Sequence, residues 1–306
     1  MRRLGILCSV AAAAVELRAL QAARALVDAY ELPCEDAVVL AGGSNVLVHL
    51  KPTPVVARVM TATVVLHDDV ASWLLREVTV GAFLAERGLA VSPTRLLPPG
   101  PHQRDGLWMT VWDYVPHDSS GALPRARELG HSLRRLHAAL AEFAGELEPL
   151  LGIQEWLGRL LDELQPAPWL SSIDIELLRA GLHELTPRVF DSTQPAQALH
   201  GDAGIGNLLR TDEGLLWNDL EDVCTGPVAW DVAGVVTSAR ARGASDAFIE
   251  EILDAYGGPR VDELADFIAA DELYTTIWQS YDAQRRPQAE EAAAARVARW
   301  RERNAR

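Results

Sequence analysis

Asp202, Asn207 and Asp219 are the residues whose types and spacing most directly suggest chemistry. They lie in ALHGDAGIGNLLRTDEGLLWNDLEDVCTGPVAWDVA (198–233), a stretch in which acidic residues alternate with short apolar runs. Such a stretch is either an acidic surface loop or a set of strands whose acids face a group that neutralises them. The spacing of the three residues favours the second interpretation.

A β-hairpin is predicted between Asn207 and Asp219. The runs NLLR (207–210) and LLWN (215–218) flank TDEG (211–214), a polar turn that ends in glycine. Pairing of the two runs brings Asn207 and Asp219 together at the open end of the hairpin. An amide oxygen beside a carboxylate suits a hard divalent cation, Mg²⁺ above all. Because Mg²⁺ completes its shell with water and phosphate oxygens, this arrangement implies a nucleotide.

Asp202 precedes Asn207 by five residues. A carboxylate at this position can lie near the metal without being its main ligand, and it can accept a proton from an attacking hydroxyl group. In phosphoryl transfer the base adds a modest increment, since positioning and charge neutralisation do most of the work. The acids are therefore interpreted as facing a metal ion and a substrate.

The first third of the chain predicts a small α/β lobe. AVVLAGGSNVLVHL (37–50) is typical of a strand, a glycine turn and a second strand, and PVVARVM (54–60) of a third strand. A helix is expected between residues 68 and 88, and GLWMTVWDYV (106–115) predicts a further strand. The N-terminus imitates a signal peptide, but it continues as an amphipathic helix with Leu17 on its apolar face, which we expect to pack on the core.

The pattern becomes helical after residue 115. Leucines at 129, 133, 136 and 140 define one helical face, and QAEEAAAARVARWRERNAR (288–306) predicts a charged, solvated final helix. The sequence therefore predicts an α+β protein with a β-rich N-terminal lobe at residues 1–115 and a mostly helical C-terminal lobe at residues 116–306.

Together HGDAGIGN, NDLED and GPVAWDVA resemble the aminoglycoside phosphotransferase family of small-molecule kinases, which have a two-lobed fold like that of protein kinases. The resemblance implies that Asp202 is the catalytic base and that Asn207 and Asp219 hold Mg²⁺. It also implies that Asp231 braces the catalytic loop and that His200 supports it.

The N-terminal lobe extends the resemblance. LAGGSNVLVHL lies where the family has its phosphate-covering loop, which makes Ser44 and Asn45 candidate nucleotide contacts. Arg58 in VVARV resembles the cation that contacts the phosphates, with Glu77 as its helical partner. Arginine replaces the usual lysine, and the glycine loop is not GxGxxG.

Further candidates flank these groups. VWDYV (111–115) resembles the hinge that contacts adenine through its backbone, which makes Asp113 and Val115 candidate nucleotide contacts. Glu221 and Asp222 are candidates for the acceptor side, although exposed loop acids are nearly as common. Leu220 and Glu221 stand where protein kinases have Phe-Gly, so kinase-style switching of this loop is not expected.

Composition narrows the function classes. A net charge of −15 argues against a non-specific nucleic-acid binder, which needs a basic face. No stretch has the length of a transmembrane helix, so a membrane role is not expected. The three cysteines show no zinc spacing, which is typical of reduced thiols in a cytoplasmic protein.

The function implied by the resemblance is Mg²⁺-dependent transfer of the γ-phosphoryl group of ATP to a hydroxyl of a small molecule. Candidate acceptors are an aminoglycoside or other antibiotic, a sugar and an amino alcohol. GTP stays open as the donor, because base recognition through hinge backbone leaves little trace in a sequence. One alternative is a catalytically weak nucleotide-binding protein that acts through a partner. A minor alternative is a hydrolase that uses the same metal to activate water.

Overall fold

The chain divides into two compact units. Unit 1 comprises Met1–Ser119 and Leu209–Glu221, and unit 2 comprises Ser120–Leu208 and Asp222–Arg306. Two features differ from the division predicted at residue 115: the first segment of unit 1 extends to Ser119, and the segment Leu209–Glu221 also belongs to unit 1. The computed structural model describes residues 2–43, 45–62, 64, 67–190 and 194–304, of which residues 2–12 are described by their backbone alone.

Unit 1 is built on a five-stranded antiparallel sheet in the order β1-β2-β3-β5-β4. Its strands are β1 (Cys34–Gly42), β2 (Asn45–Pro52), β3 (Val55–Met60), β4 (His102–Arg104) and β5 (Leu107–Asp113). The four predicted strands are confirmed. β4 was not predicted, because a strand of three residues is too short to show alternation. β3 is central, and its Arg58 pairs with Leu47 of β2 and Thr110 of β5.

The helix α1 (Arg2–Ala29) packs on this sheet. Its fully buried residues are Ala19, Ala22, Ala23, Leu26 and Val27. The prediction that Leu17 shares this face was wrong, since its side chain is 55% exposed. The buried stripe repeats from Ala19 at helical spacing, and Leu17 falls on the opposite side at 3.6 residues per turn.

The helix α2 (Val70–Ala85) lies against β5. It begins where predicted, because the side chain of Asp69 accepts a hydrogen bond from the backbone N–H of Ser72 at 3.1 Å. Gly81 permits a close approach, since a Cβ there would lie 2.6 Å from the ring of Trp112. This approach brings Glu77 of α2 beside the sheet.

The predicted hairpin is confirmed as β7 (Leu208–Thr211) and β8 (Gly214–Trp217). Trp217 is fully buried; its backbone N–H donates to the carbonyl of Leu89 and its own carbonyl accepts from Val91, both at 2.9 Å. These bonds attach β8 to the rest of unit 1. They fix the chain two residues before Asp219, whose backbone has a left-handed φ of 59°.

Unit 2 is mainly helical. Its helices are α3 (Ala126–Leu140), α4 (Leu151–Glu163), α5 (Ser172–Leu185), α6 (Ala229–Ala241), α7 (Asp246–Tyr256), α8 (Ala265–Ala283) and α9 (Glu290–Asn304). A two-stranded sheet joins β6 (Gln197–Leu199) to β9 (Cys224–Gly226). α8 packs against α4, α5, α6 and α9, and α3 packs against α7. The predicted leucine face of α3 is confirmed, since all four leucines are fully buried.

The prediction of a solvated final helix was wrong. α9 buries Ala293, Val297 and Trp300, and the Trp300 ring lies 2.5 Å from where a Cβ of Gly181 would be. The average composition of this helix is polar and does not reveal the buried face, because three apolar residues suffice to form it. No helix in the described part of the chain is long and apolar enough to span a membrane.

Candidate active site

Arg58 is the centre of a buried charge cluster in unit 1. Its Nη1 lies 3.1 Å from Glu77 Oε1, and its Nη2 lies 2.6 Å from Asp219 Oδ1 and 2.8 Å from Glu221 Oε2. The predicted Arg58–Glu77 contact is therefore present. The planar guanidinium contacts three carboxylates at once through its two terminal nitrogens.

Burial and charge act in opposite directions on this cluster. Burial by itself lowers the pKa of Arg58, but the charges of Asp219, Glu221 and Glu77 raise it well above its usual value. Burial raises the pKa of Glu77 to about 7, although the charge of Arg58 and a hydrogen bond from Thr110 oppose the rise. The guanidinium thus stays charged, and its charge offsets the cost of burying the surrounding carboxylates.

Glu221 is held from three sides within unit 1. Its carboxylate contacts Arg58 and accepts from Asn45 Nδ2 at 3.4 Å, while its carbonyl accepts from Trp73 Nε1 at 2.7 Å. Burial raises the pKa of Glu221 to about 7, against the opposing charge of Arg58. The structure thus places the carboxylate of Glu221, a candidate for acceptor binding, against the candidate phosphate-binding residues Arg58 and Asn45.

The charge of the cluster fits a divalent cation. Three carboxylates surround one guanidinium, and the cluster carries two negative charges in excess when Glu77 and Glu221, whose pKa values burial raises to about 7, are both ionised. Asp219 is the most exposed member, with 38% of its side chain accessible, and it can turn one oxygen toward a cation. Within the described residues no group of three or more His, Cys, Asp or Glu is arranged to hold a metal by itself. An accessible carboxylate oxygen such as that of Asp219 is the kind of ligand that Mg²⁺ takes from a protein when phosphates complete its shell.

The remaining candidates of unit 1 lie on backbone segments. Asp113 ends β5, and its N–H donates to Ser92 at 2.8 Å. The carbonyl of Val115 contacts His117 Nδ1 at 2.9 Å. Ser44 lies outside the described residues.

In unit 2 the sequence HGDAGIGN forms a tight loop between β6 and the hairpin. Gly201 adopts φ of +87°, and a Cβ on it would lie 1.7 Å from the carbonyl oxygen of Asp222. Only glycine fits at this position. Ile205 N–H donates to Ser238 Oγ at 2.9 Å, which ties the far end of the loop to α6.

Asp202 and Asn207 are joined by hydrogen bonds within this loop. Asn207 Nδ2 donates to the backbone carbonyl of Asp202 and to its carboxylate oxygen Oδ2, both at 2.8 Å. The amide thus fixes the direction of the Asp202 carboxylate. Because the amide nitrogen of Asn207 is engaged in this way, its oxygen is the atom that can ligate a metal.

Asp231 binds the start of the loop from α6. Its two carboxylate oxygens accept from the backbone N–H groups of His200 at 2.8 Å and Gly201 at 3.0 Å, and from His137 Nε2 at 3.0 Å. Burial would raise the pKa of Asp231, but the hydrogen bond and charge of His137 lower it overall. Trp230 Nε1 donates to the Gly201 carbonyl at 2.6 Å. The brace implied for Asp231 is therefore present.

Two further carboxylates lie on unit 2. Asp222 Oδ2 accepts from the Tyr274 hydroxyl at 3.4 Å. Asp271 of α8 accepts from the Thr237 hydroxyl. A Cβ on Gly234 would lie 3.2 Å from the carbonyl oxygen of Ala203 and 3.6 Å from Asp271 Oδ1. Asp271 is thus next to the loop that carries Asp202.

Sequence reasoning missed three parts of this site. It assigned Glu221 to the acceptor side and did not anticipate its contact with Arg58. It predicted no site role for His137, although a spacing of four residues from Leu133 places His137 on the buried face of the same helix. It did not assign Asp271 to any site, because a lone acid on a helix carries no signal of what lies opposite.

Comparisons with known proteins agree with this geometry. The family model described as "Phosphotransferase enzyme family" (APH) matches residues 37–268, which is more than half of the chain. Choline kinase LicA from Streptococcus pneumoniae shares 15% identity and a TM-score of 0.62 over 88% of this chain and 95% of that chain. Amicoumacin kinase hAmiN, solved with AMP-PNP, Ca²⁺ and Ami, shares 12% identity and a TM-score of 0.64 over 92% and 95%. The GDP and kanamycin complex of APH(2")-IIia shares 16% identity and a TM-score of 0.61 over 88% and 95%. At these identities the solved structures show a common fold.

Proposed function

Because the chain belongs to the APH family of phosphotransferase enzymes, we propose that it is a kinase that moves the γ-phosphoryl group of ATP, or of GTP, to a hydroxyl group of a small molecule. The observation that carries this proposal is the Asp202–Asn207 pair. The Asn207 amide orients the Asp202 carboxylate, and Asp231 fixes the start of the same loop by accepting hydrogen bonds from its backbone.

On the acceptor side Asp202 takes the role of base. Its Oδ2 accepts a hydrogen bond from Asn207 Nδ2 at 2.8 Å, so the carboxylate is already oriented before an acceptor hydroxyl binds. Asp202 orients that hydroxyl and receives its proton as the oxygen bonds to phosphorus. The nucleoside diphosphate is the leaving group.

On the donor side Arg58 binds phosphate oxygens, and Glu77 holds the guanidinium in place at 3.1 Å. Asp219 and the amide oxygen of Asn207 are the residues that would hold Mg²⁺. When bound, Mg²⁺ neutralises charge on the phosphate oxygens. The chain's own contribution is to present a cation at Arg58 and an excess of carboxylate charge around it.

The nucleotide assignment rests on the fold and on the relatives. AMP-PNP and GDP occupy the amicoumacin and kanamycin enzymes named above. The backbone of residues 111–115, which includes Asp113 and Val115, would contact the base, and Asn45 would contact phosphate. Recognition through backbone suits either ATP or GTP.

Candidate acceptors are aminoglycosides or other antibiotics, sugars and amino alcohols. A position for Asp271 beside the Asp202 loop favours an acceptor that offers an ammonium group or a hydrogen-bond donor there. Choline kinase and an enzyme bound to kanamycin are among the proteins with this fold. An amine-bearing alcohol is therefore the first class to test.

The proposal is tested by nucleotide turnover with Mg²⁺ against a panel of aminoglycosides, macrolides, hexoses, amino sugars, choline and homoserine. We expect one class to stimulate turnover and to yield a phosphorylated product, detected by ³¹P NMR, in a one-to-one ratio with nucleoside diphosphate. Nucleotide binding with a flat panel would favour the catalytically weak alternative. Steady hydrolysis that no acceptor stimulates would favour the hydrolase.

A further inference from the structure

We propose that His137 and Tyr256 are positioning residues for the Asp202 loop, with His137 Nε2 donating to Asp231 and the Tyr256 hydroxyl donating to His137 Nδ1. This proposal concerns the shape of the loop, and its consequence for catalysis rests on the proposed function.

A continuous chain of hydrogen bonds connects α7 to the loop. The Tyr256 hydroxyl lies 2.7 Å from His137 Nδ1, and His137 Nε2 lies 3.0 Å from Asp231 Oδ2. The same Oδ2 accepts from the N–H of His200 at 2.8 Å, two residues before Asp202. His137, Asp231 and His200 are all buried, so water does not compete for these bonds.

The direction of each bond follows from the charge of Asp231. Asp231 accepts hydrogen bonds from the backbone N–H groups of His200 and Gly201 and lies 3.0 Å from His137 Nε2, and its pKa is lowered although burial opposes this, so its carboxylate only accepts. His137 Nε2 must then carry a hydrogen. In a neutral imidazole Nδ1 is the acceptor, and the hydroxyl of Tyr256 is the donor that satisfies it. Loss of that hydroxyl leaves Nδ1 without its donor, so one of the two hydrogen bonds that fix the His137 ring is lost.

Helix packing holds Tyr256 and His137, which form one end of this series of hydrogen bonds, at a fixed distance from each other. His137 lies in the last turn of α3 and Tyr256 is the last residue of α7. Gly130 of α3 makes direct contact between the helices, since a Cβ there would lie 2.3 Å from the carbonyl oxygen of Ile252. Gln197 Nε2 donates to the carbonyl of His137 at 2.9 Å, which also ties α3 to the strand before the loop.

The test uses His137→Leu, His137→Gln and Tyr256→Phe in the full chain. Leucine fills the space without a donor, whereas glutamine can place a nitrogen near Nε2 and is the conservative rescue. We expect His137→Leu to lower kcat about tenfold, and Tyr256→Phe about threefold to tenfold, the effect of losing one hydrogen bond to a charged or buried partner. KM for nucleotide should stay within about twofold, and His137→Gln should recover most of kcat.

Gly181→Ala is the control for a merely structural role. Its Cβ would meet the Trp300 ring at 2.5 Å, which destabilises unit 2 at a place that shares no hydrogen bond with the loop. At a matched loss of Tm, this variant should keep the kcat of wild type per folded molecule. The proposal is overturned if His137→Leu and Tyr256→Phe also keep it.

Two readouts are independent of catalysis. ¹⁵N NMR of the His137 ring should show a neutral Nε2–H tautomer in wild type, and the Nδ1 resonance should shift in Tyr256→Phe because that nitrogen loses its donor. Amide exchange at His200 and Gly201 should be at least about tenfold faster in His137→Leu, because their acceptor is less firmly held. If no acceptor is ever phosphorylated but both signatures appear, the kinase assignment fails and the positioning inference stands. An Nδ1–H tautomer or unchanged exchange would overturn the inference itself.

Discussion

At the scale of single residues, Arg58 explains how unit 1 tolerates three carboxylates in one place. Glu77 is almost fully buried, and an ionised carboxylate in that position requires a cation. Arg58 provides it through one nitrogen and reaches Asp219 and Glu221 through the other. The two terminal nitrogens of one arginine therefore hold all three acids of the cluster.

Removing this cation should be more costly than removing one of its acids. We expect Arg58→Met to lower the free energy of unfolding by about 3–5 kcal/mol, since it leaves buried carboxylates without a partner. Glu77→Gln is the matched control, and it should lower stability by less than about 2 kcal/mol because Arg58 keeps Asp219 and Glu221. Chemical denaturation at pH 7 measures both. Equal losses in the two variants would contradict this account of the cluster.

Asp174 gives a residue-scale prediction about pH. A hydrogen bond from Arg301, together with bonds from Ser171, holds its pKa well below the usual value. A lowered pKa means that Asp174 stabilises the fold above pH 3.8, its ordinary value, and that this contribution is lost as the pH falls further. Because the Arg301 side chain is about half exposed, we expect a contribution of about 1 kcal/mol.

The variant Asp174→Asn isolates the contribution of the Asp174 charge to stability. Its free energy of unfolding should be lower than that of wild type at pH 7, and the difference should shrink as pH falls from 4 toward 2. Denaturant titrations at several pH values measure the difference. A constant difference across this range would show that the charge of Asp174 does not contribute.

At the scale of elements, glycines decide how closely the helices of unit 2 approach. Gly130 lets α3 contact the backbone of α7, and Gly181 lets α5 receive the ring of Trp300 from α9. Beyond its own helix backbone and chain neighbours, Gly158 of α4 has no atom of the described residues within 4 Å of where its Cβ would be. The same residue type thus has different roles at different helix positions.

These positions predict opposite effects of one substitution. Gly130→Ala should destabilise unit 2 by more than about 2 kcal/mol, because its Cβ would lie 2.3 Å from a backbone oxygen that cannot move alone. Gly158→Ala should stabilise the protein by about 0.5–1 kcal/mol through helix propensity. Thermal unfolding of the two variants tests this contrast. Stabilisation by Gly130→Ala would mean that α3 and α7 do not pack through this glycine.

Elements with strong local signals could be predicted from the sequence. The hairpin β7–β8, the start of α2 at Asp69 and the leucine face of α3 each depend on residues that are neighbours in the chain. The strand β4 and the buried stripe of α9 gave weak local signals, because the first has three residues and the second is mostly charged. Their structure depends on partners that are distant in sequence.

At the scale of the whole molecule, the same distinction applies to the site. The roles of Asp202, Asn207 and Asp219 could be proposed from spacing alone, since all three lie within one short stretch. The contact between Arg58 and Glu221 joins residues 163 positions apart, and no periodicity predicts it. Long-range pairs of this kind require the fold.

The net charge of −15 is partly explained by these local clusters. Carboxylates exceed cations around Arg58, and Asp202, Asp222 and Asp271 belong to unit 2. Such a distribution favours positively charged ligands, among them divalent metal ions and amine-bearing acceptors. This charge distribution is consistent with a kinase that binds cations.

The central claim is that Asp202 is the base of a phosphotransferase, and the most direct measurement compares wild type with Asp202→Asn. The acceptor found in the panel is mixed with γ-labelled nucleotide and Mg²⁺, and phosphorylated acceptor is followed in a single turnover while nucleotide affinity is measured separately. Asparagine keeps the size of the side chain and an acceptor for Asn207. We predict that transfer slows by at least about a hundredfold with nucleotide affinity within about threefold. Transfer within about threefold of wild type would contradict the assignment of Asp202 and the account built on it.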